Sequence, residues 1–115
     1  MDEVFKEYIF DTTNIGKIKK KRVTRILNYQ SNTCGDNFRI YLIIENDKII
    51  DIKYQIFGCI ALMAGSAATS QLIKGKTIKE IKDIKDSEVL NILGDYPKDR
   101  TSCILKMLNV LKSEL

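Results

Sequence analysis

Residues 38–57, FRIYLIIENDKIIDIKYQIF, constrain the fold more than any other stretch of this chain. Phe38 to Ile44 and Lys48 to Phe57 are β-branched and aromatic-rich runs of strand length that flank the polar Glu45-Asn46-Asp47, the pattern of a β-hairpin. A lone hairpin is marginal in water and needs further elements to cover its apolar face. The spacing predicts a first strand over Arg22 to Tyr29, which the polar YQSNTCGDN then breaks. All three strands can be neighbours in one antiparallel sheet.

After Phe57 the period changes. Gly58 to Ile73, GCIALMAGSAATSQLI, is rich in Ala and Leu with small residues on one side, which predicts a helix lying close against another element, and Lys74-Gly75-Lys76 stops it. Residues 2 to 10 place Val4, Phe5, Tyr8 and Ile9 at helical spacing, and Asp11 to Gly16 reads as a turn. Thr77 to Asp83 and Ser87 to Leu93 are short amphipathic pieces, with Ser87 a candidate N-cap. Asp99 to Leu115 carries Ile104, Met107, Leu108, Leu111 and Leu115 on one helical face. The expected class is α+β, a small three-stranded antiparallel sheet with helices packed mainly on one face.

Composition removes several alternatives. The 115 residues, 44% hydrophobic and 30% charged with one Pro and six Gly, exclude a disordered or collagen-like chain and suit a single domain over residues 1–115 with no repeat or linker. No apolar run reaches the roughly 20 residues of a membrane helix, and MDEVFKEY is too acidic for a secretory signal, so a cytoplasmic protein without a membrane partner is expected. The formal charge of +4 comes mostly from GKIKKKR, Gly16 to Arg22, with Arg25 beyond. That run suits an acidic partner or a solvated face. A nucleic-acid partner is not expected, because DNA-gripping domains spread their basic groups over a broad face.

The three cysteines all fall at junctions between predicted elements. Cys34 lies between the first two strands, Cys59 follows the third strand at a helix start, and Cys103 sits in the first turn of the last helix. Separations of 25 and 44 residues make no local CxxC knuckle, so any clustering must come from topology. A thiol at a helix N-terminus meets unpaired N–H groups, which favours the thiolate, both nucleophile and ligand, at Cys59 and Cys103. Gly35 permits a tight or left-handed backbone beside Cys34, and Asp36 can aim a carboxylate into the same pocket. Cys34, Asp36, Cys59 and Cys103 make a tetrahedral set for zinc and also suit iron-sulfur chemistry, with Arg100 one turn before Cys103 offsetting the charge. Each residue also has a plain reading: a cysteine is commonly a small buried hydrophobe, Asp36 a turn residue, and Arg100 a solvated side chain.

Taken together, these motifs resemble the iron-sulfur cluster assembly scaffold family, the NifU-like amino-terminal domain of IscU-type and SufU-type proteins. Asn14-Ile15-Gly16 echoes the family's opening turn and Cys34-Gly35-Asp36 its Cys-Gly-Asp. Gly58-Cys59 through Ser66 to Lys74-Gly75-Lys76 follows its Gly-Cys, Ala/Ser-rich helix and Lys-Gly-Lys, and Cys103 with Arg100 matches its closing cysteine. The resemblance implies a scaffold, not a turnover enzyme, that accepts sulfur as a persulfide from a cysteine desulfurase and passes nascent clusters to acceptor proteins. It implies a transient 2Fe-2S cluster or Zn2+ held by Cys34, Asp36, Cys59 and Cys103, with the three cysteines as persulfide acceptors, and contacts to the desulfurase from Lys74 and Lys76.

The departures from the family pattern are also specific. IscU-type members carry His before the last cysteine, whereas this chain has Ser102 and no histidine anywhere. That shifts the fourth-ligand role to Asp36, as in SufU-type proteins, yet the stretch from Cys59 to Cys103 lacks the SufU insertion. A zinc-dependent sulfurtransferase partner of a desulfurase is therefore the first alternative, and a structural zinc domain or basic adaptor the second. Tyr96-Pro97-Lys98-Asp99-Arg100 replaces the proline-rich segment read by the Hsp70-type chaperone, which puts that partnership in doubt. Ile60, where the family has a small residue, is expected to close the pocket.

Overall fold

The structure is a computed structural model that describes residues 3–31 and 35–115. Three strands, β1 (Arg25–Gln30), β2 (Asn37–Glu45) and β3 (Lys48–Phe57), form an antiparallel meander in the order β1-β2-β3. The hairpin turns on Asn46 and Asp47, both with left-handed backbone at φ of 53° and 60°, which matches the twist of the flanking strands. Glu45 pairs with Lys48 across that turn. The register then sets the pairs Phe38–Ile56, Ile40–Tyr54 and Leu42–Ile52, with Leu27 and Tyr29 of β1 opposite Ile40 and Phe38. A one-residue slip would turn this apolar set to water.

Helices α1 (Glu3–Ile9), α2 (Ile60–Ile73), α3 (Ile78–Lys82), α4 (Asp86–Leu93), α5 (Thr101–Ile104) and α6 (Lys106–Glu114) follow the predicted pieces. The expected α+β class and three-stranded sheet are borne out. α2 is the central element: ten of its residues are buried, and it packs against α1, α4, α5, α6 and β3. A helix buried nearly all round has no single apolar stripe, which is why its sequence reads as Ala, Ser and Thr without strong periodicity. Those small side chains let neighbours approach closely. A β-carbon built on Gly65 would lie 2.1 Å from the Ile104 carbonyl oxygen, so α2 and α5 touch backbone to backbone there.

Three boundaries differ from expectation. The final helix is not continuous from Asp99: a 3-10 turn at Lys98–Arg100 leads into α5, and Leu105 separates α5 from α6. Ser87 is not an N-cap, because α4 starts one residue earlier and the Glu88 carboxylate accepts from the Lys85 N–H at 2.8 Å. β1 begins at Arg25, since residues 17–24 instead cross the other side of the sheet, where Ile18 and Val23 pack on Tyr41 and Ile43. The edge of β3 is covered in part: Tyr54 N–H donates to the Asn14 carbonyl and Gly16 N–H to the Tyr54 carbonyl, both at 2.9 Å. Among the described residues no helix is long and apolar enough to cross a membrane.

Candidate metal centre

The end of the sheet where β2 begins and β3 stops is also where α2 and α5 start, and three ligand-type side chains meet there. Gly35 adopts the left-handed backbone that its sequence position suggested, at φ +71°, and delivers Asp36 to the first residues of β2. Cys59 is the N-cap of α2, its backbone extended at φ −73° and ψ 164°. Cys103 is the third residue of α5, brought to α2 by the Gly65 contact one residue further on. One oxygen of Asp36 and the sulfurs of Cys59 and Cys103 all lie within 4.8 Å of one another. A tetrahedral ion with bonds of about 2.0–2.3 Å sets its ligand atoms roughly 3.5–3.8 Å apart, so an inward shift of about an ångström would close this group on a metal.

Asp36 is the most constrained member. Its side chain is buried, and Oδ1 accepts the Cys59 backbone N–H at 3.3 Å. Among the described residues, Oδ2 is buried with no hydrogen-bond partner. A carboxylate oxygen left bare in the interior is costly unless a cation or proton meets it, and here two thiols stand beside it. The donor set thus fits a soft, thiophilic metal with one harder position. The carboxylate has room only because residue 58 is glycine: a β-carbon there would fall 2.7 Å from Asp36 Oδ1 and 2.6 Å from a Leu62 methyl.

The electrostatics correct one expectation. The Cys103 thiol is pushed up from its ordinary value, by burial first and then by the charge and hydrogen bond of Cys59 and the charge of Asp36. A helix of only four residues offers little dipole against that. The opposing cation is Lys106, which sequence reading missed although it lies three residues after Cys103. Its Nζ donates to the Tyr29 hydroxyl at 3.1 Å, and Tyr29 stacks on Phe38 with ring centroids 5.0 Å apart. Filling the site with a divalent ion would release protons and relieve the crowding of negative charge.

A cavity of about 280 Å³ opens onto Gly35, Asp36, Cys59 and Cys103, with Phe57 and Arg100 at its walls. Arg100 is solvent-exposed and, among the described residues, makes no ion pair. Ile60 does not close this cavity. It is exposed and lines a neighbouring one of about 350 Å³ with Pro97 and Asp99. Ser102 points to solvent. Lys74 is tied to Asp51 at 3.1 Å at the far end of α2, roughly 20 Å along the helix from Cys59. The third expected thiol, Cys34, lies outside the described residues. Gly58 and Gly65 were also missed as site-forming residues. Their signal was the glycine adjoining a cysteine and the small-residue helix.

An α+β meander that gathers two thiols and a buried carboxylate at one end of its sheet defines a small domain with the donor atoms for a metal ion. The profile of the family described as NifU-like N terminal domain matches residues 1–114, and the chain belongs to that family. An iron-sulfur cluster assembly scaffold protein IscU of Archaeoglobus fulgidus is 35% identical over 102 residues, covering 89% of this chain and 65% of its own length. A Drosophila melanogaster relative named as an iron-sulfur cluster assembly enzyme IscU is 29% identical over 111 residues, with 95% of this chain and 71% of the relative covered. The fold matches, at a TM-score of 0.77 and 22% identity, a crystal structure of a candidate SUF-system iron-sulfur cluster assembly scaffold from Fervidobacterium islandicum AW-1, covering 98% and 94% of the two chains. This chain thus spans just under two thirds of the Archaeoglobus relative.

Proposed function

We propose that residues 1–115 act as one iron-sulfur cluster assembly scaffold domain of the cytoplasm, serving a cysteine desulfurase and acceptor proteins without turning over a substrate of its own. The observation that carries this reading is the meeting of Asp36, Cys59 and Cys103 within 4.8 Å around a buried carboxylate oxygen that has no hydrogen-bond partner among the described residues. The names of the relatives support it. In this reading Cys34 completes the ligand set, and the cargo is a transient 2Fe-2S cluster.

The residues divide the work by chemistry. A reachable thiolate of Cys34, Cys59 or Cys103 attacks the outer sulfur of a persulfide on the donor. The donor's S–S bond breaks, its cysteine leaves as thiolate, and the persulfide now sits on this chain. Asp36 supplies a hard oxygen that binds iron less firmly than sulfur does, so the cargo can be released. Lys106 lowers the cost of ionising Cys103, and Arg100, at the cavity wall, balances the charge of the loaded site.

A second reading, a zinc-dependent sulfurtransferase partner that holds no cluster, is favoured by the carboxylate-for-histidine donor set and Arg100 three residues before Cys103. Anaerobic incubation with iron and sulfide, followed by absorption spectra and elemental analysis, separates the two. Stoichiometric iron and sulfide with a visible chromophore supports the scaffold. Zinc that resists replacement supports the alternative.

A further inference from the structure

The basic run that the metal centre leaves unused forms a distinct surface. Lys17, Lys19, Lys20, Lys21, Arg22 and Arg25 are six of the nineteen Lys and Arg, and no Asp or Glu occurs from Thr12 to Gly35. The remaining thirteen cations face fifteen acids, so the positive net charge is concentrated in this one segment. All six are exposed, and among the described residues none makes an ion pair. The segment is fixed in place: Ile18 is buried against Tyr41 and Ile43, which holds the lysines around it at the sheet surface.

Two further features lie under these charges. A cavity of about 420 Å³ is rimmed by Lys17, Lys19, Lys20 and Arg39 and floored by Ile18, Ile26 and Tyr41. Ile26, on β1, is 43% exposed, so apolar surface is open inside a cationic rim. β1 is also an edge strand, and among the described residues no strand pairs with its outer side, whereas the edge of β3 is covered by residues 14–16 and 75–76. An open edge takes extended peptide through main-chain hydrogen bonds, with side-chain pockets giving selectivity.

We propose that this face docks an acidic, extended segment of another protein along β1, with one apolar side chain of that segment seated between Ile18, Ile26 and Tyr41. Charge decides the occupant. A second copy of this chain would bring the same six cations and be repelled. Tyr41 is buried with its hydroxyl donating to Gln55 at 3.0 Å, so the cavity gives a nucleic-acid base no open ring to stack on. An anionic membrane can meet the six cations, but its flat surface offers the open edge of β1 no main-chain partner and the cavity no single side chain, so it stands as a rival arm of the test. The cavity shares no lining residue with the one at the metal centre, and the inference does not depend on what that centre holds.

The test uses a capped twelve-residue peptide of Glu and Asp with one central Phe, titrated into the isotope-labelled protein at low salt. The expected result is amide shift changes at Lys17–Lys20, Ile26 and Arg39, at least tenfold weaker binding at 200 mM salt, and at least tenfold weaker binding to the Lys19→Glu/Lys20→Glu variant, whose zinc uptake is unchanged. Replacing the Phe by Ser should weaken binding at least fivefold. The proposal is overturned if the charge-reversed variant or the Ser peptide binds within twofold of the original pair, or if shift changes fall elsewhere. It is equally overturned if a thymidine dodecanucleotide or phosphatidylserine vesicles bind this face more tightly than the peptide does.

Discussion

Gly58 leaves the space that the Asp36 carboxylate occupies: a β-carbon on residue 58 would sit 2.7 Å from Asp36 Oδ1 and 3.1 Å from its Cγ. Gly58 is not among the glycines with positive φ, so alanine suits the backbone there and the conflict is purely steric. Gly58→Ala is expected to cost about 1–3 kcal/mol by overpacking and to displace the carboxylate. Zinc or cobalt affinity should fall at least tenfold in a competition titration. Because the effect runs through Asp36, adding Gly58→Ala to Asp36→Ala should cost little further affinity, and full additivity would show that the glycine acts elsewhere.

The Gly65–Ile104 contact is less forgiving, since all three close atoms belong to the Ile104 backbone, the nearest at 2.1 Å. Gly65→Ala must push α2 and α5 apart and with them Cys59 and Cys103. A loss at or beyond the upper end of the about 1–3 kcal/mol range of overpacking is expected, and with it a melting temperature lower by about 10 °C or more. An unchanged melting curve would contradict the close approach.

How much of this was legible in the sequence depended on whether the signal was local. The hairpin was plain because Asn46-Asp47 and its flanking runs fix turn and register within twenty residues. Cys34, Asp36, Cys59 and Cys103 could be nominated because each sits at a junction between elements, and the structure brings Asp36, Cys59 and Cys103 together. The Leu105 break was hidden, because Ile104, Met107, Leu108 and Leu111 keep helical spacing across it. Lys106 and Gly65 were hidden for a different reason. Their roles arise from neighbours on other elements, Tyr29 in β1 and Ile104 in α5, that no short window contains.

Alkaline pH should weaken the fold through Tyr54, buried within β3. Burial first, and then the charge of Asp11, push the Tyr54 hydroxyl up to about 12, with a hydrogen bond to Ser70 opposing. An unfolded tyrosine titrates near about 10. The folded state therefore holds this proton longer: its contribution is complete below pH 10 and is lost as the pH rises through the window from about 10 to 12. The difference corresponds to at most about 3 kcal/mol across that window. Tyr54→Phe should flatten this part of the stability-against-pH curve relative to the parent in urea titrations. Parallel curves would show that the hydroxyl ionises freely in the folded protein.

The loaded site should depend unequally on its ligands. Without sulfur at residue 59 or 103 the remaining donors are too few for a cluster, whereas removing the Asp36 carboxylate leaves the thiols in place and takes away the hard, exchangeable oxygen. Asp36→Ala is thus expected to retain a reconstituted cluster longer against a chelator than the parent, by several-fold in half-life. Faster loss would show that the carboxylate secures the cargo.

The central claim is that Cys59 and Cys103, 44 residues apart in sequence, act as one site with Asp36. Anaerobic reconstitution of the parent, Cys59→Ala and Cys103→Ala with iron and sulfide, read by visible absorption and by iron and sulfide content per chain, tests it most directly. The expected result is a chromophore with bound iron and sulfide in the parent and neither in the two variants, each still folded by circular dichroism. Equal iron and sulfide in all three proteins would contradict it.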